Sequence, residues 1–203
     1  MTKKLISFLM ALGFAGLMVT AANAAEEPAK KAKQTPQKLY LTPKEAYDMI
    51  QKDPKHVLFV DVRTPAELVF VGYAKGIDKN IPFKYIDYSK FVTTKKGKKK
   101  FASWKNPNLV AEFDEQLKAK GLTRNDPVIV ICRSGDRSGM TASKLYKAGF
   151  KKAYTVVTGV EGDMSKTKPH RRNVNGWKNA GLPWTYKFNA DLFYPKPTPP
   201  AGK

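Results

Sequence analysis

Apolar and polar residues alternate along the middle of the chain with a period that switches repeatedly. Residues 57-VLFVDV-62 and 127-PVIVIC-132 are apolar runs of strand length with little polar alternation. Such runs suit strands covered on both faces, as in a parallel sheet. Between and after them the spacing turns helical. Thr42 caps a helix over 43–53 with Pro43 at its first position. Thr64-Pro65-Ala66-Glu67 reads as a cap, a proline and an acidic first turn opening a second, short helix. Apolar positions 109, 110, 113 and 117 predict a helix over 108–120 that Gly121 stops. Positions 142, 145 and 148 predict another over 138–148, ended by Gly149. Residues 38–41, 79–83 and 153–157 are shorter strand candidates, and 173–181 reads as a final short helix. Strands alternating with helices predict an α/β domain built on a parallel sheet.

The flanks differ in kind. Lys3 and Lys4 precede the apolar run 5–19, and Ala22-Asn23-Ala24 supplies small residues, which together predict an export signal over 1–24. The run is short for a membrane span, which needs about 20 residues, although an uncleaved anchor is the alternative. The expected location is the periplasm or outside the cell, with no stable membrane insertion after cleavage. Residues 25–37 read as a flexible leader, 38–187 as the domain and 188–203 as a proline-rich tail.

The chain carries +20, and loss of Lys3 and Lys4 with the signal leaves +18. The lysines are spread out apart from 95-KKGKKK-100, read as a solvated basic loop, and no finger spacing or aromatic RNA-binding signature accompanies them. No specific nucleic acid is expected; the charge draws small anions toward a cleft. One cysteine and two histidines do not make a structural zinc site, and no metal or cofactor is implied.

Cys132 is the only cysteine. In an exported protein a thiol without a mate is reactive or pairs between molecules. It ends the clearest strand and opens the turn 132-CRSGDRS-138 before a helix, at the sheet edge where parallel sheets bind ligands. Loop amides, the helix N-terminus, Arg133 and Arg137 would all favour a thiolate nucleophile. Gly135 allows the tight turn, and Ser134 and Ser138 offer hydroxyl donors. The role requires a sulfur open to solvent and amides turned toward it. A buried, inert cysteine is the alternative.

This loop resembles the active-site loop of rhodanese-type sulfurtransferases, a cysteine opening a six-residue cradle. Asp61-Val62-Arg63 with Thr64–Glu67 is similar to the family's first signature, Asn80-Ile81-Pro82 to its continuation, and Gly159, Trp177 and Gly181–Trp184 to its closing segment. Tyr73 stands where members commonly have a noncatalytic histidine, and 160–172 is longer and more basic than usual. Phosphatases sharing the fold place Arg after five intervening residues; here that position is Ser138, so the cradle is smaller and suits sulfur. The resemblance implies a three-layer α/β/α fold and a sulfurtransferase of the thiosulfate type, working through a Cys132 persulfide. Its partners would be a small anionic sulfur donor and a thiol or cyanide-like acceptor. Arg133 and Arg137 would anchor the donor, with Ser134, Gly135, Asp136 and Ser138 completing the substrate loop. Asp136 would either hold the loop's shape or face solvent. Asp61 and Arg63 would form a supporting charge pair, and the tryptophans would pack the core or cleft wall. The alternative is a sulfur carrier without turnover that serves another exported protein, for which 93–100 and 160–172 are docking candidates.

Overall fold

The computed structural model describes residues 25–194; the signal-like segment 1–24 and the last tail residues 195–203 lie outside it. Strand β1 (Tyr40–Leu41) leads into helix α1 (Pro43–Lys52), then β2 (Leu58–Asp61) and α2 (Pro65–Val71). Both helices start with a capping box, Thr42 with Glu45 and Thr64 with Glu67, which satisfies amide donors left open at a helix start. After the short strands β3 (Tyr73–Ala74) and β4 (Lys79–Asn80) comes a long hairpin, β5 (Lys84–Thr93) and β6 (Lys99–Lys105). Helix α3 (Leu109–Ala119), β7 (Pro127–Ile131), α4 (Asp136–Lys147), β8 (Lys152–Val156) and β9 (Trp184–Thr185) complete the order.

Five strands form one parallel sheet in the order β1-β8-β7-β2-β4. Because side chains alternate along a strand, each strand feeds two cores. Phe59, Ile129 and Ile131 join Ala46, Ile50 and Leu68 on one face. Leu58, Val60, Val128 and Val130 join Phe113, Ala142 and Leu145 on the other. The result is the three-layer α/β/α arrangement.

Three expectations are corrected. The segment 25–37 is not a loose leader: Lys31–Lys33 forms a 3-10 turn lying on α4, and Lys33 is buried with Nζ 2.9 Å from Asp163. Adding a Cβ at Gly139 of α4 would bring it 2.9 Å from the Lys33 carbonyl oxygen, so small size there permits the contact. The domain runs past 187, since Leu192 is buried and Phe193 bridges to Asn80. Residues 173–181 form bends and turns instead of a helix, because Gly159 and Val160 carbonyls accept from the amides of Trp177 and Lys178. The basic run 95–100 is exposed, as expected of a solvated loop, and forms the turn and the start of β6 in a hairpin whose strands its many lysines hide, since they interrupt the apolar alternation.

Candidate functional site

Cys132 follows β7 directly, and its Sγ accepts a hydrogen bond from the Gly135 amide at 3.2 Å. The loop turns there because Gly135 adopts φ +100°, a left-handed conformation that glycine enters without cost. No side chain among the described residues caps α4, so its first-turn amides keep the anion-attracting end open beside the sulfur. The loop rests on the chain after β8: the Cys132 carbonyl accepts from Val160 N at 2.8 Å, and the Arg133 carbonyl from Glu161 N at 3.0 Å. Gly159 makes this approach feasible, since a Cβ on it would lie 2.3 Å from the Cys132 oxygen.

Two expectations about this loop change. Cys132 is only 1% exposed, not open to solvent. Val128, Val130 and Cys132 share one sheet face, so the same alternation that builds the core carries the cysteine under Ala142 and Leu145. Ser138, expected to donate to substrate, is also fully buried. Its hydroxyl donates to the Gly135 carbonyl at 3.0 Å and accepts from Thr155 Oγ1 at 2.9 Å, while the sulfur sits 3.5 Å from it. The Gly135 amide is the only main-chain N–H that donates to the sulfur among the described residues, and the thiol itself donates to the Ser138 hydroxyl.

The charged residues divide. Arg133 is exposed and lines an open cleft of ≈ 490 Å³ together with Phe70, Tyr88, Lys84, Glu67 and Arg137. Arg137 is not a free cation: both its terminal nitrogens lie 2.6 Å from the Glu67 carboxylate. Burial works against both charges, yet the pair and the Thr64 amide bring the Glu67 carboxyl from its ordinary 4.5 to about 2. Burial opposes the Arg137 charge too, but Glu67 raises its pKa. Asp136 turns outward to Lys30 at 2.5 Å, and Ser134 is half-buried with no side-chain bond among the described residues. Asp61 and Arg63 form a fully buried pair at 2.7 Å, and Arg63 also donates to the Gly72 carbonyl at 2.9 Å. Trp177 packs in the core, stacked on Phe59 with ring centres 5.5 Å apart.

Sequence reading missed Glu67 as a site residue and missed Lys84. Glu67 and Arg137 are 70 positions apart, so no spacing pattern announces their pairing. Lys84 has no ion-pair partner among the described residues. Burial and the neighbouring Arg137, Lys100 and Arg133 charges lower its pKa, although Glu67 opposes them.

The Glu67 shift carries a pH prediction. A carboxyl depressed on folding stabilises the protein fully above its unfolded pKa and loses that contribution as pH falls through the folded value. Stability from this pair should therefore fall between about 4.5 and about 2. Denaturant melts across that range should show a shallower acid loss for Glu67→Gln than for the parent. Identical acid limbs would contradict the pairing.

A rhodanese-like domain family matches residues 42–166. The uncharacterized protein RC0915 of Rickettsia conorii is 30% identical over 142 residues, covering 70% of this chain and 92% of that one. A putative sulfur carrier protein, YrkF of Bacillus subtilis, is 43% identical over 53 residues, 26% of this chain and 29% of its own. Among solved structures, that of Rv0390 from M. tuberculosis superposes with a TM-score of 0.51 at 30% identity, over 73% of this chain and 97% of that chain.

Proposed function

The chain belongs to the rhodanese-like family, and on that premise we propose a sulfurtransferase that carries sulfane sulfur on Cys132. The observation that supports it most is Sγ held 3.2 Å from the Gly135 amide at the uncapped start of α4, next to a cationic cleft. In the first step the Cys132 thiolate attacks the outer sulfur of thiosulfate. A bond forms between the two sulfurs, the thiosulfate S–S bond breaks, and sulfite leaves with the electron pair. This is covalent catalysis by a nucleophile already in place. In the second step cyanide or a thiolate attacks the outer sulfur of the persulfide. Cys132 leaves as thiolate, and thiocyanate or an organic persulfide is released. The Gly135 amide stabilises negative charge on sulfur in both steps. Cys132 is 1% exposed, so the role requires the loop over it to open before a donor reaches the sulfur, and a small inorganic donor needs the smaller opening. Export to the periplasm is part of this proposal; cell fractionation with sequencing of the mature N-terminus tests it.

Arg133 and Lys84 take the role of anion anchors, since Glu67 already occupies Arg137. Replacing Lys84→Met should raise KM for thiosulfate about three- to tenfold with little change in kcat, the sign of lost ground-state attraction. Because the pKa of Lys84 is lowered, thiosulfate affinity should fall on the alkaline side earlier than for an ordinary lysine. An unchanged KM would remove Lys84 from the donor site.

The test of the reaction is incubation of the purified protein with thiosulfate and cyanide, following thiocyanate and the protein's mass. Turnover with one added sulfur atom supports the enzyme. The carrier reading, favoured by the buried sulfur and the neutralised Arg137, requires a stable persulfide and negligible cyanide turnover. No added sulfur under any donor would exclude both.

A further inference from the structure

The hairpin that went unread in the sequence builds a second cavity. It measures ≈ 510 Å³ and lies between β5–β6 and the start of α2, lined by Pro65, Pro82, Tyr85, Ile86, Trp104 and Tyr194 among others. That volume is within the range of small-molecule sites, and the wall is chiefly aromatic and aliphatic. Tyr85 and Trp104 are cross-strand partners with ring centres 5.7 Å apart. Tyr194 closes another side, its hydroxyl accepting from Gln116 at 2.7 Å and donating to the Glu112 carbonyl at 3.2 Å.

Two polar atoms of this wall have no partner among the described residues. Asn80 also lines the cavity and is fully buried. Its Nδ2 donates to the carbonyls of Asp61 and Arg63, which fixes the amide and leaves Oδ1 without a donor. The Tyr85 hydroxyl is likewise buried and unbonded. Buried groups left unsatisfied are costly, so they mark places where something else completes the hydrogen bonds. Burial first, then Glu112 and Tyr194, push the Tyr85 phenol up to about 12, which keeps its proton available for donation.

We propose that this cavity binds a small planar aromatic molecule carrying a hydroxyl or N–H group, whose ring lies against Tyr85 and Trp104 and whose donor satisfies Asn80 Oδ1. The wall supplies apolar area for a ring, and the orphaned acceptor demands a donor from the ligand. The Tyr85 hydroxyl can donate to an oxygen or ring nitrogen of the same ligand. No cation lines this cavity among the described residues, and its carboxylate, Asp87, accepts from the Ser89 amide and hydroxyl, so the site does not suit an anion like the one expected next door. Thr64, Ala66, Ile86 and Tyr88 line both spaces, so the site adjoins the cationic cleft without being part of it. The proposal does not rest on sulfur transfer.

Calorimetric titration of the full chain with phenol, repeated with anisole, tests it. Anisole presents the same ring without the donor, and should bind at least about fivefold more weakly. Tyr85→Phe removes a hydroxyl that bonds to none of the described residues, so it should fold normally and weaken phenol about threefold or more. Absence of phenol binding at millimolar concentration would overturn the proposal and leave ordered water as the partner of Asn80. Equal affinities for phenol and anisole, or a Tyr85→Phe protein that binds phenol as the parent does, would overturn it as well. Each titration can be run on Cys132→Ser protein, so failure here and failure of sulfur transfer are read separately.

Discussion

Replacing Cys132→Ser is expected to abolish both persulfide formation and thiocyanate production, by at least about 10³-fold, while the fold is retained. The reasoning combines chemistry with geometry. A hydroxyl is close in size to a thiol, and the Gly135 amide can donate to it as it does to Sγ at 3.2 Å. The site's shape therefore survives, and the melting temperature should barely move. What disappears is a soft nucleophile able to accept a second sulfur atom. The measurements are thiocyanate release with thiosulfate and cyanide, the intact mass after donor exposure, and a thermal melt. Residual turnover near the parent level in a well-folded variant would mean that another group carries the sulfur. Since this chain has one cysteine, that result would end the persulfide mechanism.

The second large effect concerns stability. Asp61→Leu should cost about 3–5 kcal/mol, because Arg63 would be left charged and without its carboxylate in a fully buried position. Arg63 Nη1 already lacks a partner among the described residues, so the site has no slack to absorb the loss. Combining it with Arg63→Met should recover most of the stability, as apolar replacement of both partners avoids burying a lone charge. Denaturant titration of the single and double variants separates these outcomes. A single variant as stable as the parent would mean that the pair contributes nothing. A double variant no better than the single would assign the loss to the Arg63 main-chain amide, which donates to the same carboxylate at 2.9 Å and is orphaned in both variants.

The layered sheet was legible because its strands are apolar on both faces and its helices start with clear caps. The cysteine turn was legible from a strand, a glycine and a helix in immediate succession. What escaped depends on contacts that local pattern does not carry. Glu67 reads as the acidic first turn of a capped helix, and its carboxylate does accept from the Thr64 amide, but its second partner is 70 residues away. The depth of Cys132 follows from which face of β7 it shares, a register fact that the motif alone does not state. The hairpin escaped because lysines at 95–100 mask it, and with it went the aromatic cavity and Lys84. The leader looked unstructured by composition, yet Lys30 and Lys33 find acids on and beside α4.

That docking has a practical side. Lys30 to Lys33 lie against the helix whose first turn faces the reactive sulfur, so the start of the described chain is anchored next to the chemistry. An affinity tag fused just ahead of residue 25 would be tethered close to the reaction centre, and trimming the chain to residue 38 would strip Asp136 and Asp163 of their lysines. Handling the protein with its label at the opposite terminus leaves this contact untouched.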